Sequence, residues 1–438
     1  MSHLQSREKL WRLARDLTWV NLAMLAGNLA SFGYQIGLSR DLTAADYGLW
    51  SALLAMTMLL QIPVSTINML VVRRVAEANA QGAREQIWHF LRGALMTVSR
   101  YILIGLAVFA AVTPVLLKAL DVASPVPLVV VAATAATAIW VPLGLATLQG
   151  LQKFGALALA TLIQRASILL GLGLVALGAG ISGAICGLLI GNVLGIVLSF
   201  SMSQLELSRQ REQNSPETPA ALQVDEAQGW SVAATYALMT TFLYVDLLLA
   251  RYFLAPEAAG QYAAVAVLGK AIYYAPIGIV MLLIPKVASA RMHASSTTHF
   301  LYLALTGTAV LVAPIVVAFS LFPGTIISAV FGDKYKGEST TELMQLYVVA
   351  SVLLTLVAVS AQYYLAKHST RFVWALVAGL IVTLVAVLIS HQSSTDIAIA
   401  LIAGNGTTLM GGFILECRPT PAAAGFREKP ADTYGPRG

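Results

Sequence analysis

The sequence predicts an all-α polytopic membrane protein with about twelve transmembrane helices, arranged as two six-helix lobes related by a parallel repeat. Three observations predict this fold: a low charge content, the number of long apolar segments, and a repeat between the two halves. Apolar residues make up 58% of the 438 residues and charged residues 11%, whereas a soluble domain carries about 25% charged residues. So few charges cannot cover the surface of a soluble globule of this size. Soluble enzymes, nucleic-acid-binding proteins and disordered scaffolds are therefore excluded.

Twelve segments are long and apolar enough to cross a bilayer, which takes about 20 residues. Their residues do not alternate with a period of two, so a β-barrel is not expected. The first segment is too long for a cleaved signal peptide and is not followed by a small-residue cleavage site. The segments cover approximately residues 17–39, 48–72, 94–117, 126–148, 156–177, 181–200, 230–254, 261–284, 300–322, 343–365, 372–390 and 397–415.

Basic residues are unevenly distributed between alternate loops. Of the 27 lysines and arginines, 19 lie on the side of both chain ends, 5 lie on the other side, and 3 lie inside spans. Because cytoplasmic loops carry an excess of lysine and arginine, we expect both termini in the cytoplasm. The two cysteines, Cys186 and Cys417, show neither metal-ligand spacing nor a disulfide framework.

A hairpin in the first half recurs in the second half. Leu42–Trp50 (LTAADYGLW) aligns with Leu254–Tyr262 (LAPEAAGQY) at an offset of 212, which places Gly48 on Gly260, and each copy precedes an apolar helix that contains a proline. Six crossings separate the copies, so equivalent helices run in the same direction about an axis along the membrane normal. Chance similarity of two apolar hairpins is the alternative. We expect an N-terminal lobe at 1–202, a cytoplasmic linker at 203–228, a C-terminal lobe at 229–416 and a disordered cytoplasmic tail at 417–438.

These stretches resemble the polysaccharide-transport (Wzx-like) branch of the multidrug/oligosaccharidyl-lipid/polysaccharide (MOP) superfamily, which has a MATE-like fold. Leu42–Ala76 and Asp246–Ala288 carry the resemblance. It implies a flippase, not an enzyme, that moves an O-antigen (lipopolysaccharide) or exopolysaccharide repeat unit on polyprenyl diphosphate across the bacterial inner membrane by alternating access. No cofactor is implied beyond a coupling cation or proton. Polysaccharide polymerase and other assembly proteins are candidate partners.

Two ionisable residues inside the C-terminal lobe are candidates for energy coupling. Asp246 lies eight residues from Leu254 at the outer end of span seven, and Lys270 lies nine residues past Gln261 at the outer end of span eight. At about 1.5 Å per residue, both are about 12–14 Å deep. Ionisable groups within spans are costly and face a cavity or a partner. We expect the two to form an ion pair. This pair either switches during transport, as a proton or cation site, or permanently locks the two helices together.

Other polar residues within spans are candidates for binding the substrate. Arg165 lies near mid-membrane and could bind the lipid diphosphate, because arginine binds phosphate oxygens in a bidentate way; a hydrogen bond to backbone or to Gln164 is the structural alternative. Arg100 is a shallower candidate. Polar stripes and a tyrosine could bind sugar, although such side chains also hold membrane helices together; they are Asn28, Gln35, Gln61, Asn68 and Tyr273.

Further residues have structural interpretations. Trp50 and Tyr262 are expected in the interfacial aromatic belt. Gly183, Gly187, Gly191 and Gly195 form a ridge with a spacing of four, which predicts close packing of two helices.

Three other functions remain in competition with the flippase hypothesis. A multidrug exporter of the same superfamily would be expected to carry an acid in span one, and residues 17–39 contain none. A membrane glycosyltransferase would usually carry a large outer domain, whereas the longest outer loop here is about 20 residues, near 323–342. A noncatalytic assembly partner is the third alternative. No G-x-x-x-x-G-K-[ST] motif is present, so hydrolysis of nucleotide by that route is not expected.

Overall fold

The computed structural model describes residues 2–82, 84–209, 226–276, 278–280, 283, 287, 297–367 and 369–417, and the regular structure of these residues is helical. The first five helices follow one another with short turns. They are α1 (Ser2–Asp41), α2 (Ala44–Leu60), α3 (Pro63–Ala80), α4 (Arg84–Ala119) and α5 (Val126–Gly150).

The next stretch reverses direction within an almost continuous run of helix. It passes through α6 (Phe154–Ala166), a 3-10 turn (Ser167–Leu169), α7 (Leu170–Leu174), a π turn (Val175–Ala179) and α8 (Gly180–Arg209). Gly178 and Gly180 have φ angles of +89° and +53°, a region that glycine enters at no steric cost. A β-carbon on Gly187 would stand 2.7 Å from the carbonyl oxygen of Ile168. The glycine ridge of α8 therefore packs closely against α6 and α7, as predicted.

The second half repeats the helical pattern and adds a short helix. Its helices are α9 (Glu226–Phe253), α10 (Pro256–Tyr274), α11 (Thr298–Leu321), α12 (Pro323–Phe331), α13 (Glu338–Ala366), α14 (Arg371–Ile389) and α15 (Ser394–Cys417). The predicted loop near 323–342 thus holds α12 and a 3-10 turn at Asp333–Tyr335.

Prolines interrupt the second and eighth predicted spans at equivalent places. The second span is divided between α2 and α3, with Gln61 and Ile62 in the turn and Pro63 as the first residue of α3. α10 ends at Tyr274, just before Pro276. A proline nitrogen cannot donate to the carbonyl four residues earlier, which breaks the helix. Pro142 and Pro314, in contrast, lie within continuous helices.

The chain is a multi-pass membrane protein. Within the described residues, nine helices are long and apolar enough to span a bilayer, and one of these runs from Phe154 to Ser208 and contains the reversal. The total of twelve spans and the lobe boundaries stay predictions. Residues 210–225 of the predicted linker and most of the predicted tail lie outside the described residues.

Candidate functional site

The two repeat glycines lie against each other where α2 crosses α10. A β-carbon on Gly48 would stand 2.7 Å from the backbone nitrogen of Gly260. One on Gly260 would overlap the carbonyl oxygen of Ala44 and stand 2.5 Å from its carbonyl carbon. The hairpins that the repeat makes equivalent therefore meet, backbone against backbone. We name the end of the molecule with this contact, the α1–α2 turn and α12 the distal face.

Two cations join the halves at the distal face. Arg40, at the end of α1, donates from Nη2 to the carbonyls of Ala329 (3.1 Å) and Val330 (3.4 Å) in α12. Lys334 donates from Nζ to the carbonyls of Arg40 (3.2 Å) and Leu42 (2.5 Å). Cations are favourable at the carbonyl end of a helix. We call this reciprocal contact the distal latch. Desolvation there lowers the pKa of Lys334, and nearby Asp41 partly offsets this.

An aromatic cluster fills the space beside the latch. Tyr47 stacks on Trp50 with 5.4 Å between ring centroids, and Tyr335 meets the Tyr47 ring edge-on at 5.8 Å. The Tyr335 hydroxyl donates to the carbonyl of Ser39 at 3.2 Å. All three rings are buried, with at most 1% of their surface exposed. The distal face is therefore closed by residues from both halves.

Arg165 and Asn28, two of the predicted substrate-binding residues, contact each other. Arg165 on α6 donates from Nη1 to Oδ1 of Asn28 on α1 at 2.5 Å. Its aliphatic stem packs on Gly27, where a β-carbon would stand 2.5 Å from Cδ. The guanidinium, half-buried, lies within electrostatic range of Tyr274 on α10. α1 thus positions Arg165 to face the second half.

A row of tyrosines extends from this point into the second half. The hydroxyls of Tyr274 and Tyr244 are 3.4 Å apart, and the Tyr274 ring meets Tyr273 edge-on at 5.1 Å. The ammonium of Lys270 lies 4.3 Å from the centroid of the Tyr244 ring, a distance at which a cation is attracted to an aromatic face. We call Asn28, Arg165, Tyr244, Lys270 and Tyr274 the central cluster.

The structure does not form the predicted ion pair between Asp246 and Lys270. Among the described residues, no ion pair of 4.0 Å or less joins them. Asp246 lies seven residues before Phe253, at the end of α9, and Lys270 lies fourteen residues after Pro256, at the start of α10. At a rise of about 1.5 Å per residue, their backbones differ in depth by about 10 Å. The prediction failed because α10 begins at Pro256, not near Gln261 as expected.

Asp246 is bound by two tyrosines. Its Oδ2 accepts from Tyr347 on α13 at 2.6 Å and from Tyr262 on α10 at 3.2 Å. Tyr262 was expected in the interfacial belt, as was Trp50, and both are buried. The sequence did carry a signal for the Tyr262 contact, because Asp246 and Tyr262 are each eight residues from Leu254. We found no such signal for Tyr347, which comes from a distant helix.

An apolar cavity of about 740 Å³ lies between the first half and the beginning of α9. The walls come from α4, α5, the α2–α3 break and one face of α9. The residues that line the cavity include Ile62, Tyr101, Phe109, Ala136, Trp230 and Ala237. Such walls suit a hydrocarbon chain better than a sugar or phosphate.

Comparison with known protein families identifies the family of this chain. The polysaccharide biosynthesis protein family matches residues 13–291, more than half of the sequence. The chain belongs to this family. A search among curated proteins finds no significant match.

Solved structures show which fold this family member adopts. The lipid II flippase MurJ in an inward closed conformation matches with a TM-score of 0.59 and 15% identity, over 89% of this chain and 86% of that chain. An inward-facing multidrug resistance MATE family transporter matches with a TM-score of 0.68 and 11% identity, over 92% and 97%. A MOP superfamily transporter from Pyrococcus furiosus Vc1 gives 0.58 and 14%, over 92% and 95%. The fold is that of MOP-superfamily transporters.

Four other candidate residues of this polysaccharide biosynthesis protein form no hydrogen bond with the central cluster among the described residues. Gln35 bonds to the Ser31 carbonyl on its own helix at 3.5 Å, and Gln61 lies in the α2–α3 break. Asn68 is half-buried on α3, and Arg100 is exposed on α4. No hydrogen bond between described residues joins these four to Arg165 or Lys270. Their predicted roles stay predictions.

Proposed function

We propose that the protein is a flippase that moves an O-antigen or exopolysaccharide repeat unit, linked to polyprenyl diphosphate, across the bacterial inner membrane. The central cluster carries this proposal. Arg165 of the first half and Lys270 of the second supply two positive charges at membrane depth. Membership of the polysaccharide biosynthesis protein family supports this substrate class.

The central cluster matches the chemistry of the proposed head group. A guanidinium carries five N–H donors in a planar fork that suits phosphate oxygens, and the bond to Asn28 engages one of them. Lys270 adds a second cation, which its contact with Tyr244 keeps near the tyrosine row. Tyrosine rings combine an apolar body with a hydroxyl, so Tyr273 and Tyr274 would contact the sugars.

The closed distal face supports a mechanism of alternating access. The predicted topology makes this face periplasmic, with both termini cytoplasmic, so the head group would enter from the cytoplasmic side. Its hydrocarbon chain would remain in the bilayer, and the apolar cavity beside α9 could accommodate part of it. Release would require the distal latch and the Gly48–Gly260 contact to separate.

The test uses a strain that lacks the chain. We expect lipid-linked oligosaccharide to accumulate on the cytoplasmic face of the inner membrane, and wild type to relieve the accumulation. Arg165→Ala should lower the transport rate at least tenfold, because each lost charge-assisted hydrogen bond is worth about 1.5–3 kcal/mol. Arg73→Ala is the matched control, since that arginine is exposed and paired with Glu77 at 2.8 Å. Normal movement to the outer face in the deletion strain would refute the proposal.

A multidrug exporter of the same superfamily is the second candidate. The match to the inward-facing MATE transporter, with a TM-score of 0.68, favours it, and so does the apolar cavity. A deletion strain with normal surface polysaccharide but increased drug sensitivity would replace the flippase with this exporter.

A further inference from the structure

Asp246 has an unusual environment for a carboxyl group inside a membrane protein. It is 1% exposed, and both of its tyrosine partners donate to the same oxygen, Oδ2. The other oxygen, Oδ1, is buried without a hydrogen-bond partner. A buried acceptor without a donor is costly, and a buried charge without a partner costs more.

The groups around Asp246 do not supply a direct counter-ion. The titratable groups that face it among the described residues are Lys270 and Tyr262 from α10, Tyr347 from α13 and Tyr244 from its own helix. Lys270 is within electrostatic range, but its ammonium lies over the Tyr244 ring. A proton on Oδ1 would remove the buried charge and turn the orphaned acceptor into a hydroxyl.

The tyrosine partners connect Asp246 to the closed distal face. Tyr262 lies two residues after Gly260, whose backbone contacts Ala44 at the α2–α10 crossing. A carboxylate accepts hydrogen bonds roughly twice as strongly as a neutral group does. Proton uptake at Asp246 therefore weakens the bond that holds Tyr262, and with it the segment of α10 that carries the crossing.

The repeat shows that this arrangement occurs in one half only. The position equivalent to Asp246, at the offset of 212, is Tyr34, which meets Trp50 edge-on at 5.8 Å. Trp50 is in turn the equivalent of Tyr262. The first half thus has a neutral aromatic contact where the second half has an acid bonded to a tyrosine.

We propose that Asp246 is a proton-binding site that couples a proton gradient to opening of the distal face, with Tyr262 as the positioning residue that transmits the change. This proposal rests on the proposed transport function. A hydronium ion on the distal side gives its proton to Oδ1, so that one O–H bond of hydronium breaks as the O–H bond of the carboxyl forms. The carboxyl returns the proton to water on the other side once the distal face has closed. No oxidation or reduction takes place.

The first experiment measures how pH changes the distal-open fraction of the protein in the absence of any transported substrate. Spin labels are placed at Ala123 and Gln392, exposed at the distal ends of the two halves, after Cys186 and Cys417 are replaced by alanine. We expect acidification to raise the distal-open fraction of wild type at least tenfold. Asp246→Asn, which keeps an acceptor for the tyrosines, should abolish this response. Glu85→Gln, at an exposed carboxylate, should retain it.

The second experiment measures coupling in proteoliposomes that contain a short-chain, sugar-bearing polyprenyl diphosphate. Wild type should accumulate this lipid under a pH gradient, whereas Asp246→Asn should lose accumulation but retain exchange without a gradient. Tyr262→Phe should reduce the gradient effect while leaving exchange intact.

Three outcomes would overturn the proposal: a pH response that persists in Asp246→Asn, accumulation driven by a sodium gradient instead of a pH gradient, or loss of exchange in a folded Asp246→Asn. An intact spin-label response in a protein that does not transport the lipid would count against the flippase function and not against the proton site.

Discussion

The Gly48–Gly260 contact predicts that one added methyl group will open the distal face. In Gly260→Ala, the new β-carbon would overlap the Ala44 carbonyl oxygen and stand 2.5 Å from its carbonyl carbon, whereas real β-carbons stay beyond 3.0 Å. Both clashing atoms belong to the backbone, so no side-chain rotation can relieve them, and the two halves must separate by at least about 1 Å to clear the carbonyl oxygen. Overpacking of this kind costs about 1–3 kcal/mol, which corresponds to a population shift of about 5–150-fold.

Spin-label distances between Ala123 and Gln392 measure this shift. Gly260→Ala and Gly48→Ala should both add a longer distance component, because the two β-carbons enter the same crossing. Gly406→Ala is the matched control, since no atom lies within 4 Å of its β-carbon position. If Gly260→Ala gives the same distance distribution as Gly406→Ala, the reasoning from the backbone contact is refuted.

Three further changes have expected outcomes. Lys334→Met removes two bonds of the distal latch and should raise the distal-open fraction about tenfold in the same spin-label assay; an unchanged distribution would show that the latch does not hold the face closed. Gly187→Val places side-chain atoms against the Ile168 carbonyl, so the midpoint of thermal unfolding should fall by several degrees, whereas Gly105→Val, with open space around it, should cause a much smaller change. Ala136→Trp fills part of the apolar cavity and should slow lipid transport without changing the unfolding midpoint; equal transport rates would exclude a role for this cavity.

The sequence predicted the overall fold because the membrane imposes simple rules on it. A span must be long, apolar and helical, so the segments were visible as runs of apolar residues. The close packing at Gly187 also followed from a single residue type with a strong backbone effect. The short helix α12 was missed because its nine residues are too few to be recognised within a connection.

The central cluster was predicted only in part, because it depends on contacts between helices that are distant in the chain. Arg165 and Asn28 were both candidates, but nothing in the sequence indicated that they touch. Asp246 and Lys270 were expected to pair with each other, but Tyr347 and Tyr244 contact them instead, and their role in coupling stays a prediction. Tyrosine is common both in cores and at membrane interfaces, so sequence position alone could not separate these two environments.

The aromatic cluster at the distal face has a consequence for how the protein is made. Tyr47 and Trp50 belong to the first half, whereas Phe331 and Tyr335, which cover Tyr47, are translated almost 300 residues later. During synthesis, the completed first half therefore exposes these rings and the backbone around Gly48 while the ribosome is still producing the second half. These rings can be covered only after the late helices have been made. Truncated or stalled chains would therefore expose an apolar, aggregation-prone patch that quality-control proteases can recognise.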